Sequence, residues 1–311
     1  MKKDKLIIGS RGSDLALWQA NFVKRELEKA NKGLKVEINI IKTKGDKILD
    51  VALSKIGDKG LFTKELEVKL LNDEIDIAVH SLKDLQTELP KGLKLACVTK
   101  RHPVEDVIIA KKKKITLEKL PQGATVATGS LRRRSQLKHL RPDLNIVELR
   151  GNVPTRIQKY LDSDWDAIIL ARAGVERLKL SKHISSIIDK EVMLPAVGQG
   201  ALGIEIKSTN NFAEQVIKSI HDENTFAAAT AERAFLKKLE GGCQIPIGAF
   251  AEVRKNGLYL SGLVASIEGD ITLHKTLRGS KKEAEKLGKQ LASDMIKAGA
   301  KKILKDIYEK R

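Results

Sequence analysis

Leu6-Ile7-Ile8-Gly9-Ser10-Arg11-Gly12-Ser13-Asp14 is an apolar run that ends in small residues around one arginine. Three consecutive apolar residues read as a buried strand, the Gly-Ser-Arg-Gly-Ser stretch as a turn, and the segment from Asp14 onward as a helix. Leu15, Trp18, Phe22 and Val23 recur at helical spacing, which predicts an amphipathic helix with those four along one face. The same order returns twice. Thr125-Val126-Ala127 enters Thr128-Gly129-Ser130-Leu131-Arg132-Arg133-Arg134. Ile146-Val147-Glu148-Leu149 enters Arg150-Gly151-Asn152-Val153-Pro154-Thr155-Arg156, where the proline suits a first helical turn. Strand, small-residue turn and helix in alternation up to about Ile206 predict an α/β fold with parallel sheets.

Each of these turns offers free backbone N–H groups and the positive end of a helix. Hydroxyls and guanidinium forks stand beside them, and guanidinium forks bind carboxylates in bidentate fashion. The chemistry implied is a polycarboxylate or phosphate site. A fourth strand end brings a different group. Asp76-Ile77-Ala78-Val79-His80 reads as a buried strand closed by Ser81-Leu82-Lys83-Asp84. In open α/β sheets ligands sit at the carboxyl ends of strands. There Lys83 suits an anion, and Asp84 a proton or a cation; a plain surface pair is the alternative.

Composition narrows the partners. A chain of 311 residues makes two or three domains, with cores that need no staples. Two cysteines give no disulfide framework, and the six histidines form no pair at ligand spacing, so no metal site is expected. The apolar run near the N-terminus is too short for a signal peptide and no stretch approaches a membrane span, which predicts a cytoplasmic protein. A net charge of +18 raises nucleic acid as a partner. Aromatic residues at 4% leave little for base stacking, and no nucleic-acid-binding signature is present, so small polyanions are favoured. Lys111 to Lys114 reads as a solvated loop. Gly198-Gln199-Gly200-Ala201-Leu202-Gly203 has the letters of a dinucleotide fingerprint, but a strand-like Gly203 to Ile206 comes after it where a helix should open. Those glycines read as a crossing between domains.

Leu239-Glu240-Gly241-Gly242-Cys243-Gln244-Ile245-Pro246-Ile247-Gly248 sets a cysteine on a glycine-rich loop between a helical stretch and a strand. Glycines let such a loop take left-handed turns and approach something large, although a passive cysteine is the commoner occurrence. Around it the pattern predicts a helix over 224–239, strands near 248–253, 258–265 and 271–277, and a closing helix over 281–298. That is an antiparallel sheet with helices on one face.

Taken together the blocks resemble the porphobilinogen deaminase (hydroxymethylbilane synthase) family along nearly the whole chain. They run from Gly9 to Gln19 and Thr43 to Asp46, through Gly57 to Glu67 and Asp76 to Asp84. Ser130-Leu131-Arg132-Arg133, Leu149 to Val153, Leu194 to Gly200 and Glu240 to Gly248 complete the series. The resemblance implies three α/β domains, the first two like periplasmic binding proteins with a cleft between them and the third a small α+β domain. Expected boundaries are 1–99 plus 199–220, then 100–198, then 221–311. It implies a dipyrromethane cofactor joined by a thioether at Cys243, stepwise condensation of four porphobilinogens with loss of ammonia, and hydrolytic release of hydroxymethylbilane.

Matched position by position, Asp84 takes the role of catalytic carboxylate, stabilising the cationic azafulvene formed as ammonia leaves. Arg11, Ser13, Lys83, Thr128, Ser130, Arg132, Arg133, Arg150, Arg156 and Arg177 match cofactor or substrate contacts. Lys55, Lys59 and Phe62 match a mobile active-site loop that acts as a lid. The acetate and propionate of each porphobilinogen account for the arginine turns, with a monomer expected and no nucleic-acid or membrane partner. Three positions depart from the family pattern: Leu85-Gln86 stands for Val-Pro, Gly129 for a common serine, and Leu82 for methionine. A bilobal small-anion binding module without catalysis is the alternative function.

Overall fold

The computed structural model describes residues 4–43, 45, 60–240 and 245–309. These gather into two compact units, the first from residues 4–43, 45, 60–102 and 200–226, the second from 103–199, 227–240 and 245–309.

In the first unit, strand β1 (Lys5–Ser10) leads into helix α1 (Asp14–Ala30) and then β2 (Lys35–Ile40). Helix α2 (Lys64–Leu71) precedes β3 (Ile77–Ser81), and β4 (Leu93–Val98) comes next. The second unit opens with β5 (Asp106–Ala110) and β6 (Thr125–Ala127), then α3 (Leu131–Leu140), β7 (Asn145–Val147) and α4 (Val153–Leu161). It continues with β8 (Ala167–Ala171), the short α5 (Arg172–Arg177) and β9 (Ile184–Ile188). The chain then returns to the first unit for β10 (Leu202–Lys207) and α6 (Asn211–Ile217).

The two five-stranded sheets share one strand order. The first runs β2-β1-β3-β10-β4 and the second β7-β6-β8-β5-β9. In each, the first three strands are parallel, and a fourth lies antiparallel to both of its neighbours. The sheets are therefore mixed, which corrects the all-parallel expectation. An aspartate at the head of one strand repeats too. The Ile7 N–H donates to Asp76 Oδ2 at 2.8 Å and the Asp76 N–H returns to the Ile7 carbonyl at 2.9 Å. Thr125 and Asp166 make the same exchange at 2.8 and 2.9 Å.

Helix α1 buries Gln19, Ala20, Val23 and Leu27. Trp18 and Phe22 are only partly covered, stacked on each other with centroids 5.4 Å apart, and His102 meets both edge-on. The inner face is thus rotated from the one that spacing suggested. Phe22 packs on the edge of the core, and the aromatic pair meets the histidine there.

From residue 227 the second unit holds most of helix α7 (Glu223–Lys238) and an antiparallel sheet of β11 (Ile247–Arg254), β12 (Gly257–Ala265) and β13 (Thr272–Gly279). Helices α8 (Ala284–Lys297) and α9 (Ala300–Glu309) cover this sheet, with Phe235, Leu260, Leu291 and Met295 at the centre of its core. Helix α9 was not expected from sequence; Ile303, Leu304 and Ile307 bury its apolar face.

This sheet and the arginine-bearing helix α3 are bound tightly to one another. A Cβ on Gly269, in the turn between β12 and β13, would fall 2.4 Å from the Ser135 carbonyl, and its φ of +74° favours glycine as well. Glu268 pairs with Arg134 at 2.6 Å, and His139 Nδ1 lies 3.0 Å from the Gly269 carbonyl. Among the described residues no helix is long and apolar enough to cross a membrane.

Candidate active site

In the first unit the carboxyl end of β3 turns through a single 3-10 turn, Leu82–Asp84. Leu82 and Leu85 are buried on either side. The Leu82 N–H donates to the Ala201 carbonyl at 3.0 Å, and the Leu85 N–H to that of Leu82 at 3.2 Å. The turn is fixed at both ends, Lys83 is half-buried between them, and Asp84 stands exposed. Leu85 holds an extended conformation. Behind it His80 Nε2 lies 3.1 Å from Glu205 Oε2, both groups buried, and burial raises the neighbouring Glu67 carboxyl above its usual range.

Ser13 caps α1, its Oγ accepting from the Ala16 N–H at 3.4 Å, and Arg11 lies over the Phe62 ring 4.1 Å from its centroid. Lys55, Lys59 and Cys243 lie outside the described residues. The other cysteine, Cys97, is buried in β4, where burial pushes its thiol up to about 12. Gly198 and Gly200 take φ of +73° and +85° just before β10. No helix opens within that segment, and the chain passes there from one unit to the other.

The remaining candidates belong to the second unit. Ser130 caps α3 by accepting from the Arg133 N–H at 3.4 Å, and Thr128 Oγ1 accepts from the Ser130 N–H at 3.3 Å. Arg132 and Arg133, matched by resemblance to cofactor or substrate contacts, lie in the first turn of α3. Both are buried, and both donate to Asp106 at the head of β5: Arg132 Nη2 to Oδ2 at 2.6 Å, Arg133 Nη2 to Oδ1 at 2.8 Å. Their second arms reach backbone carbonyls, Arg132 that of Leu194 at 2.7 Å and Arg133 that of Ile169 at 3.0 Å. Gln199 donates to Asp106 Oδ1 at 3.0 Å.

Burial opposes ionisation of Asp106, but the two guanidinium groups outweigh it and hold the carboxyl well below its usual range. A depressed folded-state value means the pairing stabilises the fold above the unfolded aspartate range, near pH 4, and is lost as the medium turns strongly acid.

Arg156 Nε donates to the Gly151 carbonyl at 2.7 Å, and Arg150 Nε lies 4.0 Å from Glu148. Arg177 is buried in the last turn of α5, and burial pushes its guanidinium down to about 10. Asp106, Gln136 and Gln199 were missed as supports. The signal for Asp106 was present, since an acid heads the apolar run Val107-Ile108-Ile109 just as Asp76 heads Ile77-Ala78-Val79.

A carboxylate-bearing ligand fits this residue set. Two guanidinium groups face one carboxylate, and Nε of Arg132 and of Arg133 is buried with no hydrogen-bond partner. Interiors rarely leave such donors unmatched, or a cation uncompensated.

Gly129 also has a structural reason. A Cβ there would fall 2.7 Å from both the Leu149 carbonyl and Glu148 Oε1. Gly129→Ser is therefore expected to cost about 1–3 kcal/mol, as overpacking does, without gaining a ligand contact. Thermal unfolding checks it; an unchanged midpoint would mean that the 148–150 backbone gives way freely.

A family model described as porphobilinogen deaminase, dipyromethane cofactor binding domain, matches residues 6–215. Another, described as porphobilinogen deaminase, C-terminal domain, matches residues 226–297. A porphobilinogen deaminase of Carboxydothermus hydrogenoformans is 52% identical over 307 residues, 99% of this chain and 98% of the relative. One from Chloroherpeton thalassium is 50% identical over 309 residues, 98% of each chain. Among solved structures, the VFT2 domain of Bordetella pertussis BvgS aligns with 70% of this chain and 86% of that one, at 14% identity and a TM-score of 0.42. That likeness is too slight to carry an argument.

Proposed function

The chain belongs to the porphobilinogen deaminase family, and from that premise we propose that Cys243 carries its dipyrromethane primer and Asp84 is its catalytic carboxylate. The activity is that of a tetrapyrrole-forming transferase, which joins porphobilinogen units with loss of ammonia. What carries the reading beyond family membership is the pair Arg132 and Arg133 sharing Asp106, a buried cation awaiting a carboxylate. When bound, the cofactor supplies a pyrrole carbon to which the next porphobilinogen is joined.

The protein's own residues then divide the work. Arg132, Arg133, Arg150, Arg156 and Arg177 match the acetate and propionate groups. A guanidinium fork fixes both the position and the orientation of a carboxylate. Asp84 stabilises the positive charge that develops on porphobilinogen as ammonia leaves, and accepts hydrogen bonds from pyrrole N–H groups. Held on its short turn, it undergoes little reorganisation when that charge appears. Lys83 beside it attracts the substrate carboxylates, and Arg11 lies over the Phe62 ring. The same reading makes the enzyme a cytoplasmic monomer, in parts 1–99 plus 199–220, 100–198 and 221–311.

The test is the intact mass of the denatured protein from cells able to make porphobilinogen. The wild type should exceed its sequence mass by two pyrrole units, and Cys243→Ser should not. An unmodified wild-type mass would remove the primer from the proposal.

A further inference from the structure

Asp106 is the convergence point of the second unit's polar interior. Three side chains donate to its two oxygens, from Arg132, Arg133 and Gln199, at 2.6 to 3.0 Å. It heads the antiparallel strand β5, and its side chain is fully buried. The Leu194 carbonyl, which takes the second arm of Arg132, is itself held from the side. Gln136 donates to that carbonyl at 3.1 Å and accepts from the Leu194 N–H at 2.7 Å. Each guanidinium is thus tied at two points, one to a carboxylate and one to backbone, and cannot turn without breaking a buried hydrogen bond.

We infer that Asp106 is a positioning residue, which sets the spacing and tilt of Arg132 and Arg133 for the carboxylates of the primer. The inference rests on the reading of Cys243 as the primer's attachment point. Two physical models of Asp106 make opposite predictions. If only net charge matters, Asp106 is a partial neutraliser, and removing its charge leaves a more cationic site that takes up anions more readily. If geometry matters, removing it frees both guanidinium groups and weakens capture despite the added positive charge. The dense set of ties around Asp106 favours geometry, because a neutraliser alone needs no second anchor on each arginine.

The experiment uses full-length protein made without porphobilinogen. It is incubated with porphobilinogen over a range of concentrations, and the two-pyrrole mass gain is followed. Asp106→Asn should need about tenfold more porphobilinogen for half-loading, the scale of one charged hydrogen bond. Asp106→Glu, which keeps the charge, should recover part of that difference. Gln199→Met removes one donor to Asp106 without altering charge, and should need about threefold more, the scale of one neutral hydrogen bond. It serves as the readout if Asp106→Asn does not fold. Thermal unfolding is recorded alongside, since a merely structural role lowers stability but leaves the half-loading concentration of the folded fraction unchanged. Equal or easier loading in the folded variants, beside a wild type that loads, overturns the positioning role alone. A wild type that gains no mass overturns the Cys243 reading, and the inference falls with it.

Discussion

Asp84→Asn is expected to keep its Cys243-linked primer while turnover falls by about 10²–10⁴-fold, the range for positioned acid–base and electrostatic groups. The asparagine has nearly the same size and still accepts a hydrogen bond from a pyrrole N–H. What it lacks is the negative charge, and that charge matters most when ammonia leaves and the substrate becomes cationic. Interactions stronger in the transition state than in the ground state appear in turnover and not in binding. The turn that bears Asp84 is anchored by buried Leu82 and Leu85 and by the Ala201 carbonyl, so the substitution leaves the backbone in place. Asp84→Glu should lose less, since charge persists with altered reach. Steady-state hydroxymethylbilane formation and intact mass for both variants decide the matter. Near-normal turnover in Asp84→Asn would leave Asp84 a solvent-facing carboxylate with no part in the chemistry.

The second large effect is on stability. Glu232 is fully buried in α7, and its two oxygens accept from two different backbone segments. Oε2 takes the Gly198 N–H and Oε1 the Ala251 N–H, each at 2.7 Å. Glu232→Ala leaves both N–H groups buried and unmatched at about 1–3 kcal/mol each, so about 2–6 kcal/mol in all. Glu232→Gln keeps the shape but turns an amide NH₂ toward one of the two donors, and should lie between. At about 2–4 °C per kcal/mol for a unit of this size, the alanine variant should melt well below the wild type. Lys112→Ala, in the exposed lysine run, is the control with almost no change. A Glu232→Ala midpoint equal to that control would mean that the two backbone segments are satisfied some other way.

Much of the fold was legible because strand, turn and helix leave local marks. The runs at Leu6, Val79 and Val126 are strands, and the antiparallel sheet after residue 247 with its covering helix could be read from alternation. Strand direction was not legible, since β5 and β10 are apolar runs like their parallel neighbours and nothing local states which way they enter a sheet. The face of α1 was misjudged because Trp18 and Phe22 find their partner in His102, far along the chain.

The candidate site divides in the same way. The place of the Lys83-Asp84 turn could be read because a charged pair closes a buried strand, and the caps Ser13 and Ser130 because helix starts favour serine. The burial of Arg132 and Arg133 could not, because the carboxylate that permits it arrives from a separate strand. An arginine in a glycine-serine turn reads as outward until its counterion is found.

The placing of β10 between β3 and β4 bears on how the chain is made. Every strand of the second sheet lies between residues 106 and 188, so that sheet is complete in hydrogen-bonding terms once 188 has emerged from the ribosome. The first sheet must wait for residues 202–207, since β4 pairs with β10 and not with β3. Of these two sheets, the one encoded first is thus finished last. Until then its nascent chain exposes two apolar strand edges, the condition in which growing polypeptides pair wrongly and need chaperone protection.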